Sequence, residues 1–175
     1  MRIPPEDFIK KAKTHRFHNL FSLRIYHYEK NTILTMKVFA PQITTNELPR
    51  TSLILQEALP NVLFSECFNE EKLPFFEEVK ATEIGHLFEH ILLEYLCLEK
   101  IANGYPEATY SGNTNWDWKK DPYGTFYITI NVGKHELEFF PFALKKTIAL
   151  TRKIFQSSAF NFQQKEGNPQ FFLTV

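Results

Sequence analysis

The chain has 175 residues, of which 43% are apolar and 23% charged, and its 20 basic and 20 acidic side chains give a formal net charge of zero. This composition is typical of a globular chain and excludes a disordered one. A balanced charge provides no broad attraction for nucleic acid or an anionic membrane, so neither is expected as a partner. The length fits a single domain over residues 1–175, with a core at about 20–156 and peripheral segments 1–18 and 157–175.

Targeting signals and cysteine usage predict the compartment. The N-terminus has no apolar segment typical of a secretory signal, and no apolar run is long enough to cross a bilayer. The two cysteines, Cys67 and Cys97, are too few for a disulfide framework and are interpreted as core thiols. The sequence therefore predicts a soluble cytoplasmic protein, and it leaves the oligomeric state open.

The first half of the chain predicts one hairpin and two helices. Residues 1–18 are polar and basic, and we expect a short helix or a loose arm there. Alternating residues over 20–28 and 32–39, separated by a polar turn, indicate a β-hairpin. A helix is predicted over 46–58 with Asn46 as its cap, and a short one over 73–79.

The second half predicts a central helix, another hairpin and a final helix. The central helix runs over 82–101, from Thr82 as N-cap to a stop at Asn103-Gly104. The hairpin pairs 108–118 with 123–132, the last helix covers about 136–156, and residues 171–175 would add an edge strand. The predicted fold class is α+β, an antiparallel sheet from two hairpins packed against the central and C-terminal helices.

The central helix carries the one pattern that points to chemistry. Residues 86–90 read His-Leu-Phe-Glu-His, so His86 and His90 project from one helix face, one turn apart, with Glu89 beside them. This is the spacing of the inverted zinc peptidases, in which two imidazoles bind zinc and the glutamate acts on water as general base. The motif predicts zinc as cofactor, His86 and His90 as ligands and Glu89 as the catalytic residue.

The same helix resembles a known family. Residues 82–94, Thr-Glu-Ile-Gly-His-Leu-Phe-Glu-His-Ile-Leu-Leu-Glu, are similar to the central helix in the N-terminal domain of cyanophycin synthetases. Leu59-Pro60 upstream and residues 123–127 downstream also resemble that domain, and the similarity covers roughly residues 20–156. The family's ligase domains are absent from this chain. The resemblance implies binding or zinc-dependent cutting of cyanophycin, a polymer of aspartate with arginine on each side chain.

A zinc hydrolase needs a third protein ligand and an open position. In the inverted-motif peptidases that ligand is a glutamate from a later helix, and Glu138 aligns with a glutamate of the family's last helix. Glu138 is therefore the first choice, with Glu94 and Glu136 as alternatives. Glu94 would otherwise orient His90 as a hydrogen-bond acceptor.

Aromatic residues in the second hairpin provide a weaker signal for substrate binding. Trp116, Trp118, Tyr110 and Tyr123 would stack on arginine guanidinium groups, or else pack one face of the hairpin. The sequence thus predicts a metallohydrolase of peptide or amide bonds in arginine-rich polymer or peptide. Two alternatives stay open, a non-catalytic polymer-binding or scaffold domain and an accessory subunit of a separate ligase.

Overall fold

An antiparallel sheet of five strands forms the centre of the fold. The computed structural model describes the backbone of residues 8–67 and 74–166, and the side chains of residues 14–67 and 74–157. The strands are β1 (Phe8–Phe17), β2 (Phe21–Tyr28), β3 (Thr32–Val38), β4 (Gly112–Asn115) and β5 (Thr125–Ile130). They lie side by side in the order β1-β2-β3-β5-β4. The helices are α1 (Thr51–Ala58), α2 (Phe75–Glu78), α3 (Ile84–Ala102) and α4 (Phe140–Glu166). The predicted α+β class is confirmed.

Both predicted hairpins are present, and they join into one sheet. β2 and β3 pair in continuous register from Phe21 opposite Val38 to His27 opposite Thr32. β4 and β5 pair over a shorter stretch than predicted, beginning with Gly112 opposite Ile130. Pairing between β3 and β5 connects the two hairpins. Alternate residues of the inner strands are buried, so one face of the sheet supplies much of the core.

The expectation of a helix or loose arm at the N-terminus is wrong for residues 8–17. These residues form β1, which pairs antiparallel with β2 at the edge of the sheet. Ladder hydrogen bonds to β2 satisfy the backbone whatever the side chains are, and lysines are common on edge strands because they hinder pairing with further chains. Residues 1–7, and the predicted edge strand over 171–175, lie outside the described residues.

The two early helices are shorter than predicted. Residues Thr45–Glu47 form a separate 3-10 turn, in which Thr44 and Glu47 make a reciprocal capping box, and α1 begins only at Thr51. Pro60 follows α1, as expected, and opens another 3-10 turn over Pro60–Phe64. The helix predicted over 73–79 is observed as α2, while Leu73 itself lies outside the described residues.

The starts of the two long helices also differ from the predictions. The N-cap of α3 is Glu83 rather than Thr82, and the helix ends at Asn103-Gly104 as expected. α4 begins at Phe140, after a 3-10 turn over Lys134–Glu136. Pro141 explains that start, since a proline lacks the N–H of a helix interior and fits the first turn.

Close packing between α3 and the sheet places the polar face of α3 at the β4 edge. A Cβ atom built on Gly85 would lie 2.4 Å from the Phe126 ring of β5, so glycine permits the approach. α3 also contacts β4 and packs along α4. Within the described part of the chain, no helix combines the length and apolar character needed to span a membrane.

Candidate metal centre

The two motif histidines converge on one point. Nε2 of His86 lies 3.1 Å from Nε2 of His90, and the ring centroids are 4.8 Å apart. Two nitrogen ligands of a tetrahedral zinc ion, at about 2.0–2.1 Å each, stand roughly 3.3 Å apart. The helical spacing has therefore brought both donors to a separation that suits a shared metal ion.

Cys67 completes a group of three donors. Its Sγ lies 3.4 Å from Nε2 of His86, and the ligand atoms of Cys67, His86 and His90 all fall within 4.8 Å of one another. A sulfur and a nitrogen on tetrahedral zinc stand roughly 3.6 Å apart, because the Zn–S bond is about 2.3 Å. Cys67 is half-buried and packs against the core, as a core thiol would, and its sulfur also lies beside the histidines, which the sequence analysis did not predict.

Hydroxyl groups hold the opposite nitrogen of each histidine ring. Ser65 Oγ lies 2.9 Å from Nδ1 of His90 and donates its single proton to the carbonyl oxygen of Val62 at 2.8 Å. The Ser65 oxygen must then accept a hydrogen bond from His90, which places the ring proton on Nδ1 and a lone pair on Nε2. Thr82 Oγ1 lies 2.8 Å from Nδ1 of His86 in the corresponding position. Such partners orient metal-binding imidazoles.

The environment keeps both imidazoles neutral. Burial lowers the pKa of His86, and burial together with a smaller effect of His86 lowers the pKa of His90 to about 3. The ring of Phe75 stacks on His90 with a centroid separation of 3.8 Å and an interplanar angle of 13°. Neutral rings have the lone pairs that a metal requires, so both donors are available at ordinary pH.

Glu89 is buried beside the histidines and attached to β4. Its side chain is 5% exposed, and Oε2 accepts a hydrogen bond from the Thr114 hydroxyl. A Cβ atom built on Gly112 would lie 2.7 Å from Oε1, so the absence of a side chain at Gly112 makes room for the carboxylate. Burial raises the pKa of Glu89 to about 7, against the opposing effect of the Thr114 bond.

None of the three carboxylates predicted as third ligand belongs to the donor group found among the described residues. Glu138 is exposed, and it is not among the described residues that form the donor group. Glu136 accepts hydrogen bonds from Lys100 and from the Tyr110 hydroxyl. Glu94 is half-buried and lines the same cleft as the histidines, and burial raises its pKa.

Three of the predicted aromatic residues, Trp116, Trp118 and Tyr123, form one cluster, but only part of it reaches the cleft. Trp116 is 38% exposed and lines the cleft, as does Tyr110. Trp118 is half-buried against the core and donates its ring N–H to the carbonyl oxygen of Thr125. Tyr123 is 65% exposed and contacts Trp118, with ring centroids 4.5 Å apart. Trp116 is therefore the aromatic side chain best placed to meet a ligand.

An open cleft of about 1230 Å³ runs along the polar face of α3 and the edge strand β4. The histidines and Glu89 lie in its wall. The described residues that line the cleft include no lysine or arginine. They include five further glutamates: Glu66, Glu77, Glu78, Glu83 and Glu94. A cleft with this lining attracts cations and disfavours anionic ligands.

Three residues of the site escaped prediction from the sequence. Cys67 and Ser65 belong to the segment after the Pro60–Phe64 turn, and Thr114 belongs to β4. None of them stands at a motif spacing from the histidines, because tertiary packing alone brings them together. The one available signal was chemical, since a cysteine ahead of a histidine pair is a candidate metal ligand.

The chain matches no family model and none of the curated proteins compared with it. The resemblance to the N-terminal domain of cyanophycin synthetases therefore stays a prediction.

Proposed function

We propose that the protein is a zinc-dependent hydrolase of peptide or amide bonds, with Cys67, His86 and His90 as metal ligands. The observation that supports this most strongly is the convergence of three donor atoms within 4.8 Å, in a cleft that also holds Glu89. One thiolate and two imidazoles suit zinc, and three protein ligands leave one position open, as catalytic sites require.

The residues that would hold the metal differ from those that would move the proton. Zinc, when bound, supplies Lewis acidity toward a carbonyl oxygen and toward water. Glu89 is the general base of the proposal, since a pKa of about 7 leaves a substantial fraction ionised at neutral pH. Thr114 holds Oε2, so Oε1 is the atom that takes a proton from the attacking water and returns it to the leaving amine.

Arginine-rich polymer or peptide is the proposed substrate class. The acidic lining of the cleft supports this choice, because each guanidinium group would find carboxylates along the wall. Trp116 adds an aromatic face at the same wall, on which a guanidinium group stacks favourably. We place the protein in the cytoplasm, since a thiolate ligand is preserved by a reducing compartment.

One observation favours a second candidate, a non-catalytic domain that binds the same polymer. Glu89 is almost fully buried and already bonded to Thr114, which is also what a structural carboxylate would do. In that case the cleft would bind without cutting.

The test compares wild-type protein with Glu89→Gln and with Glu57→Gln, a control at an exposed glutamate of α1 that does not line the cleft. Each protein is loaded with one zinc and assayed on cyanophycin and on an arginine-rich fluorogenic peptide. We expect Glu89→Gln to keep its zinc and to lose roughly 10²–10⁴-fold in rate, the usual contribution of a general base. Glu57→Gln should retain most of the activity. Turnover that survives in Glu89→Gln contradicts the proposed mechanism, and absence of cleavage by wild-type protein favours the binding domain.

A further inference from the structure

β4 is an edge strand that borders the cleft. It pairs with β5 on one side, and no strand among the described residues pairs with its other side. Three of its four residues are exposed, and all four line the cleft. An exposed edge of this kind presents backbone donors and acceptors to any extended chain beside it.

The register tells which backbone groups point outward. The Asn131 N–H donates to the carbonyl oxygen of Ser111 at 3.0 Å, so residues 111 and 131 form a hydrogen-bonded pair. Such pairs alternate along an antiparallel ladder, which makes Asn113 and Asn115 the next residues bonded to β5. The N–H and C=O groups of Gly112 and Thr114 therefore point away from β5, toward the free edge.

The same two residues contact the proposed general base. Thr114 donates its hydroxyl proton to Glu89, and Gly112 lies so close to Glu89 that no side chain fits between them. A chain bonded to the outer edge of β4 would pass directly beside Glu89 and the histidines. Glycine at position 112 also lets another backbone approach closely.

We propose that the ligand of this cleft is an extended peptide segment that adds to the outer edge of β4 as a sixth strand. Its backbone bonds to the N–H and C=O groups of Gly112 and Thr114, and every second side chain faces the cleft. Basic side chains at those alternate positions match the glutamates of the wall. The inference rests on the proposed function for the assignment of this peptide as a substrate, whereas binding itself requires neither metal nor turnover.

Amide hydrogen exchange measured by NMR tests the pairing directly. The protein is Glu89→Gln without metal, and the probe is a seven-residue peptide of alternating alanine and arginine with blocked ends. We expect saturating peptide to slow exchange at Gly112 and Thr114 at least tenfold. Asn113 and Asn115 provide an internal control, since their amides already bond to β5 and should change little. Wild-type protein stripped of metal replaces the variant if the variant does not fold.

A second measurement uses the same peptide with one backbone amide N-methylated at a time. Methylation at every second position should weaken binding at least tenfold in fluorescence anisotropy, and methylation at the positions between should have little effect. No binding at millimolar peptide, a uniform effect of methylation, or unchanged exchange at Gly112 and Thr114 in the bound state overturns the proposal. Alternating effects without any cleavage would retain strand addition and reject the hydrolase. Cleavage of the peptide without an alternating effect of methylation would retain the hydrolase and reject strand addition.

Discussion

Nε2 of His86 lies 3.1 Å from Nε2 of His90, while Nδ1 of each ring is bonded to a hydroxyl group outside α3. The two hydroxyls belong to Ser65 and Thr82. Because both outer nitrogens are occupied, both inner nitrogens are directed to the same point, where Cys67 also lies. Two histidines that merely share a helix face need no such partners, whereas metal-binding imidazoles are usually oriented in this way.

Removal of the Ser65 hydroxyl should weaken metal binding without removing a ligand. Ser65→Ala leaves Nδ1 of His90 without its acceptor, so the hydrogen bond no longer fixes the ring's tautomer and orientation. Loss of such an outer partner typically costs 10–100-fold in metal affinity. Competition with a zinc chelator measures the dissociation constant, and Ser52→Ala in α1 is the matched control. Equal affinities in the three proteins would contradict the role given to Ser65.

The raised pKa of Glu89 predicts a pH dependence of stability in metal-free protein. A carboxyl group with a folded-state pKa of about 7, against 4.5, stabilises the fold below pH 4.5 and loses that contribution as pH rises to about 7. Glu89→Gln removes the effect. The variant's free energy of unfolding should therefore increase relative to wild type by up to ~3 kcal/mol between pH 4.5 and 8.

The lowered pKa of His90 changes the free energy of unfolding with pH in the opposite direction. The comparison of wild type with Glu89→Gln removes this contribution. The His90 pKa of about 3, against 6.5, makes the folded state lose stability as pH falls below 6.5. Both proteins contain His90, so its effect cancels in the difference between them. Urea unfolding at several pH values provides the free energies, and parallel curves for the two proteins would show that Glu89 is not a buried, protonatable carboxyl.

Gly85 should be required for the position of α3 on the sheet. Gly85→Ala places a Cβ atom 2.4 Å from the Phe126 ring, which must move or push the helix away. Overpacking of this kind costs about 1–3 kcal/mol, and the strained helix should also bind metal less tightly. Thermal unfolding and zinc titration of the same variant measure the two effects.

A double-mutant cycle identifies the contact responsible. Phe126→Leu alone removes part of the buried ring, and Gly85→Ala added to it should cost less than Gly85→Ala in wild type. Strictly additive free energies would show that Phe126 is not the group that excludes a side chain at position 85.

Much of the fold was predictable because local patterns agree with it. Apolar and polar residues alternate over 20–39, and this pattern predicts a hairpin with one buried face, as observed. The apolar stripe of α3 likewise faces the core. β1 could not be predicted, because its residues are polar and basic and it is stabilised by pairing with β2 rather than by its own pattern.

The site was predictable only where its residues share one element. His86, Glu89 and His90 line one cleft, since helical spacing alone brings them to one face. Cys67 was not predicted as a donor, because its distance to His86 depends on how the segment after the Pro60–Phe64 turn packs against α3. Glu138 was favoured through a family resemblance, and the present fold leaves it exposed.

The central claim is that Cys67, His86 and His90 hold one metal ion together. Titration with Co²⁺ under reducing conditions tests it most directly, because a cobalt–thiolate bond produces a charge-transfer band and four-coordinate cobalt gives strong visible absorption. Cys97 provides the control, since it lines the same cleft outside the donor group.

We expect wild-type protein and Cys97→Ala to bind one Co²⁺ per chain with the charge-transfer band, and zinc to displace it. Cys67→Ala should lose the band and bind Co²⁺ at least tenfold more weakly. Failure of wild-type protein to take up the ion, or a charge-transfer band that persists in Cys67→Ala, would contradict the metal centre.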